Sequence, residues 1–355
     1  MSIISKFPFA NRKPIYGVKF DEVSNINSTM EYTDDAVGLT SIDICEEFNI
    51  KPCVFYNGEV QYYLNPNNFA QKEDGTAANI TTNGYDVMIE IPKLAYMIYK
   101  ENNTVFVKIT ADENAKDIDS RFCYYAHTRD TEGDRDNIYI GAYLGILSGM
   151  GESSNLYSKS GEYPNGTGNS FTSYKRAAAH RGTGYGILSF NQLNLIHCLY
   201  LLKYKSISLD NIGFDNSQSF TCGSANTVGM DSNSESSYCK FAGIEFLSGY
   251  YGTYLNNIEL DSNFQWVNPF GTQASQFSNG GEGYISKCEA SNAFGFLPHT
   301  LNGSSSTYYK SFTAISDNME VVYGNARDRG GLFSFDFGHG NGVTGRQYVT
   351  RLQYV

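Results

Sequence analysis

Three observations predict an α+β fold, with a small β-rich unit first and a larger unit of helices, sheet and long loops after it. Residues 169–205 carry a helical repeat, and most of the remaining chain alternates apolar and polar residues with the period of strands. Charge is also sparse: of 355 residues 18% are charged and 15% aromatic, with 35 glycines, so the surface must rely on hydroxyl and amide groups. A chain of this length can hold two domains and bury a large core.

Within the helical block, Leu195, Ile196, Leu199 and Leu202 recur at three- and four-residue steps, while Asn194, His197 and Lys205 fall together on another side. That is the pattern of an amphipathic helix. Ser189 or Asn191 can cap its start, because a short side-chain oxygen takes a free N–H of the first turn. A shorter helix is expected over residues 171–180, with Phe171, Tyr174 and Ala178 on one stripe and Gly182 free to turn left-handed at its end. The two helices, joined by Gly182-Thr-Gly-Tyr-Gly186, are read as one packing unit.

In the first third, strands are expected at residues 15–20, 53–56, 60–64, 94–99 and 105–109, with a short helix at 42–48. Asn57-Gly58 tolerates the positive φ angles of a two-residue hairpin turn, and Glu101-Asn102-Asn103 marks a second hairpin. Val87, Ile89 and Ile91 alternate until Pro92, which cannot donate to a ladder. The charges between residues 110 and 137, Arg129 among them, read as a solvated loop, with a domain boundary near residue 115. Later strands are expected at 138–144, 253–258, 264–267, 319–323, 332–337 and 346–354. Glycine- and serine-rich stretches at 149–168 and 215–237 read as long loops, which in a compact domain either bind something or lack order.

A net charge of −11 disfavours nucleic acid and anionic membranes as partners. The seven cysteines show no metal-ligand spacing and are read as reduced thiols. No apolar run is long enough to cross a membrane, and residues 1–13 lack the apolar core of a leader peptide. The histidines show no HxxxH spacing, so no metal is expected; Asp231-Ser-Asn-Ser-Glu235 resembles a calcium loop only loosely. The carboxylate pairs Asp231/Glu235 and Glu245/Glu259 have no second feature that selects them for glycoside chemistry. Aromatic residues interleaved with Asn, Ser and Asp in the last hundred residues suit a binding surface. The bland reading of the same residues, Trp266, Tyr323, Phe333 and Phe335 among them, is a β core.

The tracts Gly58-Glu-Val-Gln-Tyr-Tyr-Leu-Asn-Pro-Asn67, Lys72-Glu-Asp-Gly-Thr-Ala-Ala78, Val87-Met-Ile-Glu-Ile-Pro-Lys93, Tyr139-Ile-Gly-Ala-Tyr143, Ser173-Tyr-Lys-Arg-Ala-Ala178, Ala242-Gly-Ile-Glu245, Gly330-Gly-Leu-Phe333 and Gly345-Arg346 follow one another along the chain. Together they resemble phage tail or fibre proteins whose C-terminal domain has the C-type lectin fold, in the branch shared with formylglycine-generating enzyme. The resemblance implies two helices packed on a twisted antiparallel sheet, paired terminal strands, and a loop-rich ligand face near residues 323–341. This chain departs from the family at residues 246–254, where the Trp-containing motif is missing. The copper-binding cysteine pair and clustered histidines of enzymatic relatives have no counterpart, so no catalysis and no cofactor are expected.

On that resemblance, residues 1–115 form a β-rich attaching or organising domain and residues 116–355 a C-type lectin-like receptor-binding domain. The chain is then a virion protein of a phage tail or fibre, made in the host cytoplasm, that adheres to a bacterial surface glycan or protein. Other tail or baseplate proteins are implied as partners. So is a homo-oligomer, a trimer among the candidates, whose several copies would bind one cell together. The contacts expected are Trp266, Tyr323, Asn325, Arg327, Asp336, His339 and Asn341. Two rival readings are a structural baseplate or head-decoration protein, and an envelope polysaccharide hydrolase that would release reducing ends.

Overall fold

The structure, a computed structural model, describes residues 12–22, 29–82, 84–129, 132–149, 151–164, 166, 168–213, 221–233, 238–247, 251–261, 265–272, 282–300, 302–304, 312–313, 319–324, 332–336 and 348–355. The chain opens with β1 (Ile15–Asp21) and β2 (Glu31–Asp34), then the short α1 (Ile44–Glu47), whose first N–H groups are taken by the Asp43 carboxylate. β3 (Lys51–Tyr56) and β4 (Glu59–Asn65) turn at Asn57 and Gly58, with φ of 51° and 84°, the positive pair that a tight hairpin requires. β5 (Asn68–Lys72) and β6 (Asp86–Pro92) follow. β7 (Ala95–Glu101) and β8 (Thr104–Thr110) then turn at Asn102, with φ of 57°.

The remaining elements used below are β9 (Asn137–Gly141), α2 (Phe171–Ala179), β10 (Tyr185–Ile187), α3 (Phe190–Tyr204), β11 (Gly252–Leu260), β12 (Trp266–Asn268), β13 (Gly271–Thr272), β14 (Met319–Tyr323), β15 (Phe335–Asp336), β16 (Tyr348–Val349) and β17 (Leu352–Tyr354). A four-stranded sheet has the order β2-β1-β8-β7, and an antiparallel seven-stranded sheet the order β10-β17-β9-β6-β3-β4-β5. The third large sheet runs β13-β12-β11-β14-β15, with β16 parallel beside β11. The molecule is thus mixed in class and sheet-rich, with few helices.

The division expected at residue 115 does not separate two cores. β6 pairs with β9 at Ile89 and Ile140, and β9 pairs with β17 at Ile140 and Gln353, so the central sheet draws strands from both sides of that position. Cutting there would strip β6 of one neighbour and leave its N–H and C=O groups unpaired. Phe20, Ile89, Ile140, Leu199, Tyr254 and Leu352 also belong to one contiguous apolar cluster. The charged loop at 110–137 links strands that share this core; its charge is not a sign of a linker between domains. Within residues 116–355 the first strand, β9, does pair with the last, β17.

The helices depart from expectation in a second way. α3 begins with a capping box, in which Ser189 Oγ accepts from Gln192 N–H while the Gln192 side chain accepts from Ser189 N–H. Every residue from Phe190 to Leu202 is buried, because the helix lies against β1 and β8 on one side and β11 on another. The side carrying Asn194 and His197 therefore faces protein, and both residues are buried. Asn194 Nδ2 donates to the Asn292 carbonyl at 3.3 Å. α2 instead packs on β10 and on Tyr254 of β11, with ring centroids 6.0 Å from Phe171 and 6.3 Å from Tyr174. The two helices thus share β11 as a support, while β1 and β8 back α3 and β10 backs α2.

Buried polar groups hold the long loops to this frame. Glu245 accepts N–H bonds from Gly223 and Ala225, both at 2.9 Å, which fixes the described part of the 215–237 loop. Burial pushes its carboxyl up and the amine of neighbouring Lys240 down. Arg351, fully buried between β16 and β17, donates to the carbonyls of Gly141, Ala142, Glu245 and Phe246. Glu259 occupies an exposed position of β11, so Glu245 and Glu259 do not face one another as a catalytic pair would. All seven cysteines are free thiols, and all but Cys45 are buried. Among the described residues no helix is long and apolar enough to cross a membrane, and no three His, Cys, Asp or Glu side chains converge as metal ligands would.

Candidate functional site

Two of the seven expected contact residues lie in the interior. Trp266 is fully buried in β12 and donates from Nε1 to the Pro298 carbonyl at 3.1 Å. Tyr323 is buried on the His197 side of α3, with ring centroids 5.2 Å apart, and Phe333 and Phe335 pack on the same imidazole. Tyr323, Phe333 and Phe335, expected to form a binding face, thus roof the helix. Their apolar area is worth more against protein than against water, and the strand register turns it inward. For these residues the β-core reading holds. Asp336 lies in β15 opposite Val322. Asn325, Arg327, His339 and Asn341 lie outside the described residues.

A different surface feature gathers polar and aromatic groups: a cleft of about 420 Å³ between the β10–β17 edge of the seven-stranded sheet, the start of α3, β11 and the turn after β12. Its first wall is the 3-10 turn Tyr125–His127 and the loop after it. His127 is buried beneath this turn, and its Nε2 accepts from Leu94 N–H at 3.2 Å. Burial pushes its pKa down to about 3, so the ring is neutral and can accept. A tight turn closed by Arg129 N–H to Gly133 O and Glu132 N–H to Arg129 O then projects Arg129 along the cleft.

The second wall is the segment joining the helices. Gly184 has φ of +90°, and a Cβ there would lie 1.6 Å from Arg129 Nη2 and 2.6 Å from the Tyr354 ring. Only glycine leaves room for the Arg129 guanidinium, whose centre sits 5.0 Å from the Tyr354 ring centroid. Tyr185 packs edge-on against Tyr354 at 5.0 Å and accepts Gly58 N–H at its hydroxyl, anchoring this wall to the first hairpin.

The third wall comes from an irregular stretch of β11 and the turn after β12. The β11–β14 register shifts between Tyr254 and Glu259, and Asn257 adopts φ of 62° there, so Asn256 and Asn257 leave the ladder and line the cleft. Asn268 Oδ1 accepts Phe270 N–H at 2.7 Å and sets the turn. The Phe270 ring stacks on Tyr125 with centroids 3.9 Å apart and planes 6° from parallel.

Four buried polar atoms on residues lining the cleft have no hydrogen-bond partner among the described residues: Arg129 Nε and Nη2, Asn191 Oδ1 and Gln353 Oε1. Asn191 is 2% and Gln353 9% exposed. Each of these atoms is buried behind the cleft surface and costs about 1–3 kcal/mol if left unpaired. The charged side chains lining it, among the described residues, are Arg129 and Glu132, and Glu132 is engaged by Arg135 and by Arg129 Nη1. The cleft therefore offers donors, acceptors and ring faces, which is the equipment of reversible recognition.

Sequence reasoning missed these residues for a physical reason: they come from five separate segments brought together by strand pairing. Arg129 lay in a charged run read as solvated, and Gly184 in a stretch read as a connection. The density of glycine beside Tyr185 was the available signal, since three glycines in five residues leave backbone uncovered next to a ring.

No protein-family model matches this chain, and no curated protein sequence matches it. Among solved structures the chain is similar to three variants of Major Tropism Determinant. The U1 and M1 variants are each 9% identical and the P3c variant 10%; each comparison has a TM-score of 0.31 and covers 98% of this chain and 73% of the other. A superposition that loose carries neither fold detail nor function from those proteins to this one.

Proposed function

We propose that this chain is a receptor-binding protein of a phage tail or fibre that adheres to a bacterial surface glycan or protein, and that the cleft around Arg129 is where it does so. The observation that carries this reading is one open cleft that gathers Arg129, Asn256 and Asn257 beside the stacked Tyr125–Phe270 pair. The sequence resemblance to phage tail proteins supplies the biological setting. Multivalent display of several copies would make individually weak sites effective on one cell.

The purely structural reading keeps one supporting observation, the burial of Trp266 and Tyr323, which removes the face first assigned to ligands. One experiment separates the two. Purified full-length chain is incubated with intact cells and fractionated envelopes from a panel of bacteria. Adhesion requires saturable binding to at least one of them that falls at least tenfold in a folded Arg129→Ala variant. Absence of binding throughout the panel, or binding indifferent to Arg129, contradicts the reading.

A further inference from the structure

Resting on that reading, we infer that the cleft is built for a neutral saccharide, read by the Asn256 and Asn257 amides beside the Tyr125–Phe270 rings, with no ionic anchor. The charge that lines the cleft is spent within the protein. Arg129 Nε and Nη2 are buried, and Gly184 and the Tyr354 ring pack against that guanidinium. Its Nη1 meets Glu132 Oε2 at 3.5 Å, and Arg135 engages the same oxygen. Arg129 is therefore a wall of the cleft and not a ligand anchor. A carboxylate or phosphate finds no free cation among the described lining residues and meets the exposed Glu132 as a like charge. An amine gains little, since Glu132 already holds two guanidinium partners.

What the cleft does present is neutral. Asn256 is half-buried and Asn257 exposed, and neither side-chain amide has a hydrogen-bond partner among the described residues. Their backbone is set all the same: Asn256 N–H donates to the Leu188 carbonyl at 2.9 Å, and Asn257 holds φ of 62° where the β11 ladder shifts register. A primary amide both donates and accepts, so two adjacent amides match neighbouring sugar hydroxyls, which do the same. Tyr125 and Phe270, stacked and each half-buried, add ring surface for the C–H face of a pyranose. The volume lies within the roughly 300–1,000 Å³ usual for small-ligand clefts. A peptide strand would need an unpaired sheet edge, and just past β10 that edge is already taken by Asn256.

The test titrates full-length protein by calorimetry with neutral α- and β-linked oligosaccharides of glucose, galactose and mannose, with hexuronate and phosphorylated oligosaccharides, and with a pool of uncharged peptides. At least one neutral oligosaccharide should bind, more tightly than every acidic one. Its affinity should change less than twofold between about 0.05 and 0.5 M salt, because no ion pair forms. Asn257→Gly deletes an amide where glycine accepts the backbone, and Asn256→Ala deletes its neighbour. The double variant should lose at least tenfold while its melting temperature stays near that of the parent. Tighter binding of an acidic sugar or a peptide, an affinity that collapses with salt, binding indifferent to the double variant, or no binding to any neutral oligosaccharide overturns the inference. Cell binding by the same double variant tells the two failures apart. If it is lost while no neutral oligosaccharide binds, adhesion through the cleft stands and the neutral-sugar assignment falls. If it is unchanged, the cleft reading falls with it.

Discussion

Replacing Asp86 by Ala tests whether the chain folds as one unit across residue 115. Asp86 opens β6 and is fully buried; its partner Arg181, just past α2, is 8% exposed. Arg181 Nη2 donates to Asp86 Oδ2 at 2.7 Å and Nη1 to Oδ1 at 3.3 Å, while Ser158 N–H donates to Oδ1 at 2.8 Å. Burial pushes the Asp86 carboxyl up to about 6, and the carboxylate in turn holds Arg181 firmly charged. In the Ala variant Arg181 keeps the Leu156 and Gly84 carbonyls but loses its counter-ion, and Ser158 N–H loses its acceptor. Stranding one partner of a buried pair costs about 3–5 kcal/mol, whereas replacing both partners with apolar side chains is often close to neutral. Asp86→Ala should therefore lose about 3–5 kcal/mol, and the Asp86→Leu, Arg181→Met double variant should recover most of it. Urea unfolding followed by far-UV circular dichroism and by Trp266 fluorescence measures both. The single tryptophan lies in β12, in a different sheet from β6, so it reports on a distant part of the fold. Coincident transitions that shift together mean one cooperative unit. A loss below about 1 kcal/mol, or a dichroism transition that moves while the Trp266 transition stays, refutes the reasoning.

Two further outcomes follow from the same geometry. Burial pushes the His197 pKa down to about 3, so between pH 6.5 and 3 the unfolded chain binds a proton that the folded chain refuses, and stability falls as pH falls. Asp86 and Glu245, raised by burial, act in the opposite direction, so the slope is best compared between proteins. His197→Leu should flatten the acid-side decline by about 1 kcal/mol per pH unit between pH 6 and 4 in urea titrations; equal slopes would place His197 in solvent. Gly184→Ala combines left-handed strain of about 1–2 kcal/mol with displacement of Arg129, whereas Gly182→Ala, at φ of +112° with nothing within 4 Å, brings strain alone. Thermal melting should rank Gly184→Ala as the less stable of the two, and only it should abolish cell binding; equal behaviour would mean that Arg129 is not held by Gly184.

Local chemistry was readable in the sequence where the backbone itself decides. Asn57-Gly58 announced a hairpin because a two-residue turn needs positive φ, and Ser189 or Asn191 announced the start of α3 because the first turn has free N–H groups; Ser189 is the cap. Tertiary surroundings were not readable. Asn194 and His197 look like a solvent face by composition, yet the Asn292 turn covers the first and Tyr323 and Phe335 the second. Trp266 and Tyr323 look like binding residues by type, yet one hydrogen-bonds to Pro298 and the other packs on His197. The resemblance placed the ligand face near the C-terminus. The cleft takes only its edge from there, through Gln353 and Val355. Arg129, Gly184, Asn191 and Phe270 are far apart in sequence and meet only through the β9–β17–β10 pairing and the irregular β11, which no local pattern encodes.

The most direct test of the central claim is amide hydrogen exchange on the full chain, alone and saturated with an envelope fraction that it retains. Recognition through the cleft requires slowed exchange in peptides covering residues 125–132, 183–191 and 353–355. Protection confined to other segments, such as 325–341, with these three unchanged, would contradict it.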